Sequence, residues 1–291
     1  MSKVVSVVVT YNRLEYLKIC LIKLSQQTHP IEKIYLIDNA STDGTLDWVN
    51  KYALRDYSNL KYIRLNENIG GSGGFNEGFR HASKEKFDYL WLMDDDVAPD
   101  KECLEYLLLD APIDGVIHPT RYYIDGEIFY WHHWLDPLTM NKIPTNIEMH
   151  LNYLASTNVA CFEGALISNS VISKIGYPER HYFICEDDTL YGFLASLSYP
   201  VLYTSRARLM RQIKSNGKNA DWKLYYIFRN RLLCNTRIKA ALIPSVKANA
   251  YSFLFLWLWI VIDMFRYVRS FRGLLISCKG IWHGLKTAKL F

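Results

Sequence analysis

Through its first hundred residues the chain repeats one rhythm: a short apolar run, a polar break, then apolar positions at helical spacing. VVSVVVTY (4–11) is a β-branched run that reads as a buried strand, and LEYLKICLIKLSQQ (14–27) spaces its apolar residues as an amphipathic helix does. KIYLIDNAS (33–41) predicts a second strand, and Thr42-Asp43-Gly44-Thr45 supplies capping residues for a following helix. LKYIRLNEN (60–68) predicts a third strand, succeeded by a glycine cluster (70–79) that runs into a helix, and YLWLMDDDV (89–97) a fourth. Apolar strands alternating with helices predict an α/β fold with a mainly parallel sheet flanked by helices. Ligands of such sheets gather beyond the carboxyl ends of the strands, where the polar clusters of this chain fall.

Beyond residue 113 the pattern changes to shorter strands and aromatic turns, including Tyr130-Trp131-His132-His133-Trp134, and a helical rhythm resumes near 165. Residues 223–239 predict a helix with apolar and cationic faces, and 246–270 a longer one. No Gly/Ser-rich linker interrupts the chain, so the expected organisation is a globular domain over 1–240 with a packed helical extension over 241–291.

Half of the 291 residues are hydrophobic and 22% are charged, which excludes a disordered or collagen-like chain. The six cysteines lie far apart with no C-x-x-C pair, arguing against a zinc ribbon or a disulfide framework. The opening apolar run is too short for a signal-peptide core, and a reducing cytosol is the expected setting. A net charge of +5 conceals a division: residues 205–291 hold 17 Lys and Arg but only two acids, whereas residues 1–204 hold 17 Lys and Arg against 27 acids. A basic tail would suit nucleic acid or an anionic membrane. The run FLFLWLWIVI (253–262), bounded by Lys247 and by Asp263 and Arg266, turns the choice toward the membrane. At about half the roughly 20 residues needed to span a bilayer, it predicts a helix lying in the interface; a buried helix of the globular domain would carry a similar pattern.

Asp94-Asp95-Asp96 follows directly on the apolar LWLM. Three carboxylates at a strand end repel one another unless a cation neutralises them, and alternation along a strand would turn Asp94 and Asp96 to one side, as a site for Mg²⁺ or Mn²⁺. Asp38-Asn39, at the end of the second strand, is placed to read a nucleoside, although Asx residues also begin turns. Gly70-Gly71-Ser72-Gly73-Gly74 before a helix resembles a phosphate-cradling loop, yet it matches neither G-x-x-x-x-G-K-[ST] nor G-x-G-x-x-G, so a P-loop NTPase and a Rossmann dehydrogenase lack their fingerprints. Glu186-Asp187-Asp188 forms a second acidic group that would serve in proton transfer or as the acidic start of a helix.

VVTYNR (8–13), LIDNASTDGT (36–45), NIGGSGGFNEGF (68–79) and LMDDDV (92–97), with EGALIS (163–168), FICEDDTLYG (183–192) and YYIFRN (225–230), resemble in order and spacing the family 2 nucleotide-sugar glycosyltransferases of GT-A fold. Within them they are most similar to the galactofuranosyltransferase and rhamnosyltransferase branch that builds bacterial surface polysaccharides. The resemblance implies a donor pocket with Thr10, Asn12, Arg13, Asp38, Asn68, Gly70, Gly71 and Asp95, a Mn²⁺ or Mg²⁺ site at Asp94 and Asp96, Asp188 as general base and Asp187 beside it on the acceptor. Glu186, Arg211, Trp131 and Arg229 are the further candidates for contact with acceptor or diphosphate. The family often supplies a histidine ligand some two dozen residues after the base, but residues 189–282 contain no histidine, and Arg211 and Gln212 occupy that place. An arginine there would hold phosphate directly. The implied reaction is inverting transfer, with UDP-galactofuranose as the first candidate donor and dTDP-rhamnose the second. The implied acceptor is a polyprenyl-diphosphate-linked glycan at the inner face of the cytoplasmic membrane, with no role for nucleic acid. A non-catalytic membrane-surface module is the competing expectation, supported by the missing histidine.

Overall fold

The structure, a computed structural model, describes residues 1–131, 133–145, 153–214, 220–242 and 250–288, with backbone alone at 250–256 and 259. Strand β1 (Val4–Thr10) lies parallel between β2 (Lys33–Asp38) and β4 (Tyr89–Asp94), with β3 (Leu60–Arg64) parallel beyond β2. All seven residues of β1 are buried: Val4 and Val8 enter one core with Leu17 and Leu21, while Val5, Val7 and Val9 enter a second with Phe75 and Phe79. Apolar side chains on both faces are what a strand covered by two helical layers requires. The layers here are α1 (Leu14–Ser25) on one side and α4 (Gly70–Ala82) on the other, with the short α2 (Thr45–Trp48) and α3 (Leu54–Asp56) joined by a π-helical turn at Val49–Ala53.

The second half of the sheet is mixed. Strands β5 (Val97–Pro99), β6 (Val116–Tyr123), β9 (Leu154–Thr157), β10 (Leu166–Ser168) and β11 (Val201–Arg211) complete a nine-stranded sheet of order β3-β2-β1-β4-β10-β6-β11-β5, with β9 paired to β11. β10 runs antiparallel to both β4 and β6, and β5 antiparallel to β11, so the parallel arrangement read from the sequence holds for the first four strands and the β6-β11 pair. A separate hairpin of β7 (His133–Leu135) and β8 (Lys142–Pro144) lies apart. Helices α5 (Cys103–Asp110), α6 (Asn169–Ile175) and α7 (Asp187–Ser196) precede a C-terminal group: α8 (Asp221–Leu242), α9 (Ala250–Tyr267) and α10 (Phe271–Ala288).

Three local expectations change. The 89–97 strand breaks at a turn over Asp95-Asp96 and resumes as β5, so the turn, rather than strand alternation, sets where Asp94 and Asp96 point. The glycines at 70–74 form the first turns of α4 instead of a loop. They are small because α4 lies hard against the sheet: a Cβ at Gly74 would sit 2.5 Å from Val9 Cγ1, and one at Gly78 2.2 Å from Val7 Cγ1. The long C-terminal helix ends at Tyr267, and a further helix, α10, follows. Ser270 begins it, accepting from Gly273 N–H at 2.8 Å while its hydroxyl donates to Asp221 at 2.9 Å. Gly273, Ser277, Gly280 and Gly284 form a small-residue stripe against α8, where a Cβ at Gly280 would lie 2.4 Å from the Tyr225 carbonyl oxygen.

Candidate functional site

The carboxyl ends of β1 and β4 open into a cavity of about 940 Å³. β1 ends at Thr10, whose hydroxyl donates to Asp95 at 2.8 Å; the next N–H, from Tyr11, donates to the same oxygen at 3.2 Å. Arg13 Nη1 then bridges Asp95 at 3.1 Å and Asp96 at 2.7 Å. The two later aspartates are therefore each held by a donor, whereas the Asp94 carboxylate, which also lines the cavity, has no hydrogen-bond donor among the described residues. Burial raises the pKa of all three. Asp95 reaches about 6, and Asp94 rises well above the ordinary carboxylate range because Glu163, Asp96 and Asp95 repel its charge as well.

A second edge of the cavity is the N-terminus of α4. Asn68 accepts from the Gly70 N–H at 2.9 Å, and the buried Asn39 spans the entry to the helix, accepting from Ile69 N–H at 3.3 Å and donating to the Gly70 carbonyl at 3.1 Å. Gly70 has φ +77° and approaches the Phe183 backbone so closely that a Cβ would collide with it, while Gly71 faces open space in the cavity. The positive end of the helix dipole at such a terminus favours an anion.

The third edge carries the second acidic group. Phe183, Cys185 and Glu186 have φ of +68°, +68° and +66°, a left-handed conformation that non-glycine residues adopt at some cost. Asn230, fully buried on α8, donates its amide to the carbonyls of Tyr182, Ile184 and Cys185 at 2.9, 2.7 and 3.0 Å, and Arg229 donates to His181 and Tyr182 carbonyls at 2.7 and 2.9 Å. Helix α8 thus holds the strained turn that presents Asp187 and Asp188 to the cavity at the N-terminus of α7. Burial and mutual repulsion push Asp187 up to about 8, and burial takes Asp188 to about 6. Both carboxyls are thus raised together, and the pair as a whole holds a proton more readily than two free carboxylates.

Arg211, at the end of β11, stands where a histidine was expected, and it faces Glu163 as a fork: Nε and Nη2 each lie 3.0 Å from a carboxylate oxygen. The fully buried Arg121 approaches the same carboxylate at 3.1 Å and is itself sandwiched between Phe129 and Trp131, 5.2 and 5.0 Å from the ring centres. Glu163 and Arg211 line the cavity, whereas Trp131 stands behind Arg121. Gln212 bonds instead to the carbonyls of Tyr16 and Val97.

Of the residues named from sequence, Thr10, Arg13, Asn68, Gly70, Gly71, Asp94, Asp95, Asp96, Asp187, Asp188 and Arg211 surround this one cavity. Asn12 lies just outside, accepting from Thr42 N–H at 2.7 Å. Asp38 is buried beneath it, its carboxylate taken by Tyr62, Arg64 and the Ser41 N–H. Glu186 turns inward toward Arg231 at 3.4 Å and Lys142 at 3.7 Å, and Arg229 stacks over Tyr225 and Tyr226. Sequence reasoning assigned no role to Glu163 or Asn230, although both stood inside motifs it had singled out. The described residues contain no group of three or more His, Cys, Asp or Glu arranged to hold a metal.

A sheet that begins parallel, a carboxylate cluster at the end of β4 and a second at the start of α7 define the GT-A class of nucleotide-sugar transferases. The chain belongs to glycosyl transferase family 2, whose model matches residues 6–176. Membership of that family favours the catalytic expectation over the non-catalytic one. Galactofuranosyltransferase GlfT1 of Mycobacterium tuberculosis is 29% identical over 192 residues, 64% of this chain and 62% of that protein; the match thus spans under two thirds of that relative. Among solved structures, S. aureus TarS 1–349 with UDP-GlcNAc superposes with a TM-score of 0.62 at 15% identity, covering 98% of this chain and 81% of that one. Mannosyltransferase PcManGT from Pyrobaculum calidifontis, in complex with GDP-Man and Mn²⁺, gives 0.57 at 15% identity, covering 99% and 82%.

Proposed function

We propose that the chain is an inverting galactofuranosyltransferase that moves the sugar of UDP-galactofuranose onto a polyprenyl-diphosphate-linked glycan at the inner face of the cytoplasmic membrane. One observation carries the reading: two acidic clusters more than 90 residues apart in sequence meet across a single cavity large enough for a nucleotide-sugar. The name of GlfT1 supports the choice of sugar. Asp188 takes the proton of an acceptor hydroxyl as that oxygen attacks the anomeric carbon and the nucleoside diphosphate leaves. Asp187, beside it on the cavity, contacts the acceptor. Arg13, Arg211 and the α4 N-terminus surround the departing phosphates with positive potential.

Asp94 and Asp96 fit a divalent cation, Mn²⁺ or Mg²⁺. The half-buried Asp94 carboxylate has no donor among the described residues, its ionisation is opposed by three neighbouring acids, and both side chains offer the hard oxygens such ions take. When bound, the ion supplies Lewis-acid neutralisation of the leaving phosphate. Mn²⁺ in the complex of PcManGT supports this assignment.

For the membrane, the support is the C-terminal surface. No helix among the described residues is long and apolar enough to cross a bilayer. Leu258, Val261, Ile262 and Phe265 of α9 and Phe271, Leu275 and Trp282 of α10 are nonetheless exposed, with Arg266, Arg269 and Arg272 alongside. An apolar face edged by cations suits an anionic interface.

The deciding experiment is a donor panel of UDP-galactofuranose, dTDP-rhamnose and UDP-glucose, scored by thermal shift and by release of nucleotide with and without Mn²⁺. Stabilisation by UDP-galactofuranose alone is expected, at about 2.7 kcal/mol when the ligand is 100 times its Kd; a shift with dTDP-rhamnose instead would reassign the donor. Flotation with anionic liposomes tests the surface: Phe265→Glu with Trp282→Glu in the full chain should release it, and undiminished flotation would remove the membrane from the reading.

A further inference from the structure

The cavity has two unlike walls. Its acids, from Asp94 to Asp188, come with Arg13 and Arg211 from the ends of β1, β4 and β11, the segment before β10 and the start of α7, and we call these the inner wall. The outer wall, built by the 183–185 turn, the start of α8 and the middle of α10, carries Phe183, Trp222, Lys223, Tyr226, Ile276 and Lys279. Phe183 and Tyr226 stack with ring centres 4.8 Å apart and planes 17° from parallel, and Trp222 stands edge-on to both at 6.4 and 6.1 Å. Such a cluster would normally be sealed from water, yet Trp222 remains 48% exposed, its surface open to the cavity.

The two lysines come from different helices and reach one cavity. Among the described residues neither ammonium is paired with a carboxylate; Lys223 lies over the Trp222 ring at 5.8 Å. Lys279 arrives there because the Gly280 backbone lies directly on the Tyr225 carbonyl, and a hydrogen bond of 2.8 Å between the Tyr225 hydroxyl and His283 fixes the pair. Two unpaired cations beside a flat aromatic surface match a phosphate joined to a sugar: the anion takes the ammonium groups, and the C–H face of the ring takes the aromatic one.

We infer that this outer wall is the acceptor subsite. The phosphate or diphosphate of a glycolipid sits between Lys223 and Lys279, the sugar next to it packs on Trp222 and Tyr226, and the glycan runs inward to Asp188. The lipid leaves past Ile276 toward the exposed Leu275. The inference rests on the transferase reading for its direction, since it takes the inner wall as the donor side.

The test measures binding of two probes to the full chain with UDP present at saturation: a glucosyl diphosphate ester of farnesol, and farnesyl glucoside, which lacks the phosphates. Wild type should prefer the first at least tenfold. Lys223→Glu with Lys279→Glu should abolish that preference while still binding farnesyl glucoside, Trp222→Ala should weaken both probes about tenfold, and the Kd for UDP should be the same in every variant. Retention of the phosphate preference by the double variant, wild-type affinity in Trp222→Ala, or failure of wild type to bind either probe would each overturn the subsite. If UDP fails to bind wild type, the transferase reading falls, and the probe pair still decides whether the outer wall takes a phosphorylated glycolipid.

Discussion

The two acidic clusters reach the cavity by opposite means. Asp94 ends a regular buried strand, and Asp95 and Asp96, in the turn that follows, are steadied from close by: Thr10, Tyr11 and Arg13 come from the neighbouring strand's end and the turn after it. Asp187 and Asp188 follow a turn with three left-handed non-glycine residues, held in that shape by an asparagine on α8 some 45 residues further along. The first arrangement needs only a strand that stops in the right place. The second needs α8 to be docked on α7 and the 181–185 turn for the proposed base to be in position, so the base side should be the more sensitive to distant change.

The sharpest way to separate the two sides is chemical. Asp188→Asn is expected to lower turnover by about 10²- to 10⁴-fold, the usual worth of general-base help, with the Kd for UDP unchanged; wild-type turnover in that variant would remove Asp188 from the mechanism. Next in size is Asn230→Ala, which takes the side-chain donor from the Ile184 and Cys185 carbonyls and one of several from Tyr182, and should cost about 1–3 kcal/mol of stability. It should reduce turnover while sparing nucleotide binding, as read by denaturant melts and calorimetry. Arg13→Ala makes the contrast, weakening UDP while leaving the 183–186 turn protected from amide exchange. Equal loss of nucleotide affinity in both variants would show that the two sides do not act separately.

A substitution between α4 and β1, within the second core, probes the sheet itself. Gly78→Ala places a methyl 2.2 Å from Val7 Cγ1, and overpacking of this kind costs about 1–3 kcal/mol. A melting temperature equal to wild type would mean that α4 can shift off β1. The smallest effect is pH-dependent. A carboxyl whose pKa is raised by folding stabilises the native state below its unfolded value and loses that contribution as pH rises through the folded one. With Asp187 raised to about 8, Asp187→Asn should be more stable than wild type at pH 8 and lose that advantage as pH falls toward 4. A constant difference in melting temperature across that range would contradict the shift.

Much of the donor side was legible in the sequence because its parts are local. A β-branched run, a polar break and DDD after LWLM state both a strand and the chemistry at its end. The glycine cluster was legible as a motif but misread as a loop: whether glycines mark a free turn or a helix pressed on a strand depends on what lies across from them, here Val7 and Val9. Glu163 could not be weighted from sequence, since its importance comes from Arg121 and Arg211, 42 and 48 residues away.

The sequence by itself determined the alternation of strand and helix, the two acidic clusters and the basic, apolar C-terminal region, because hydrophobic period and charge are properties of neighbouring residues. Only the tertiary structure decided that the clusters share a cavity, that Asp38 and Glu186 turn away from it, and that α10 supplies part of its wall. Those are facts about residues far apart in the chain, and they are settled by which small side chains let helices approach and which buried polar groups find partners.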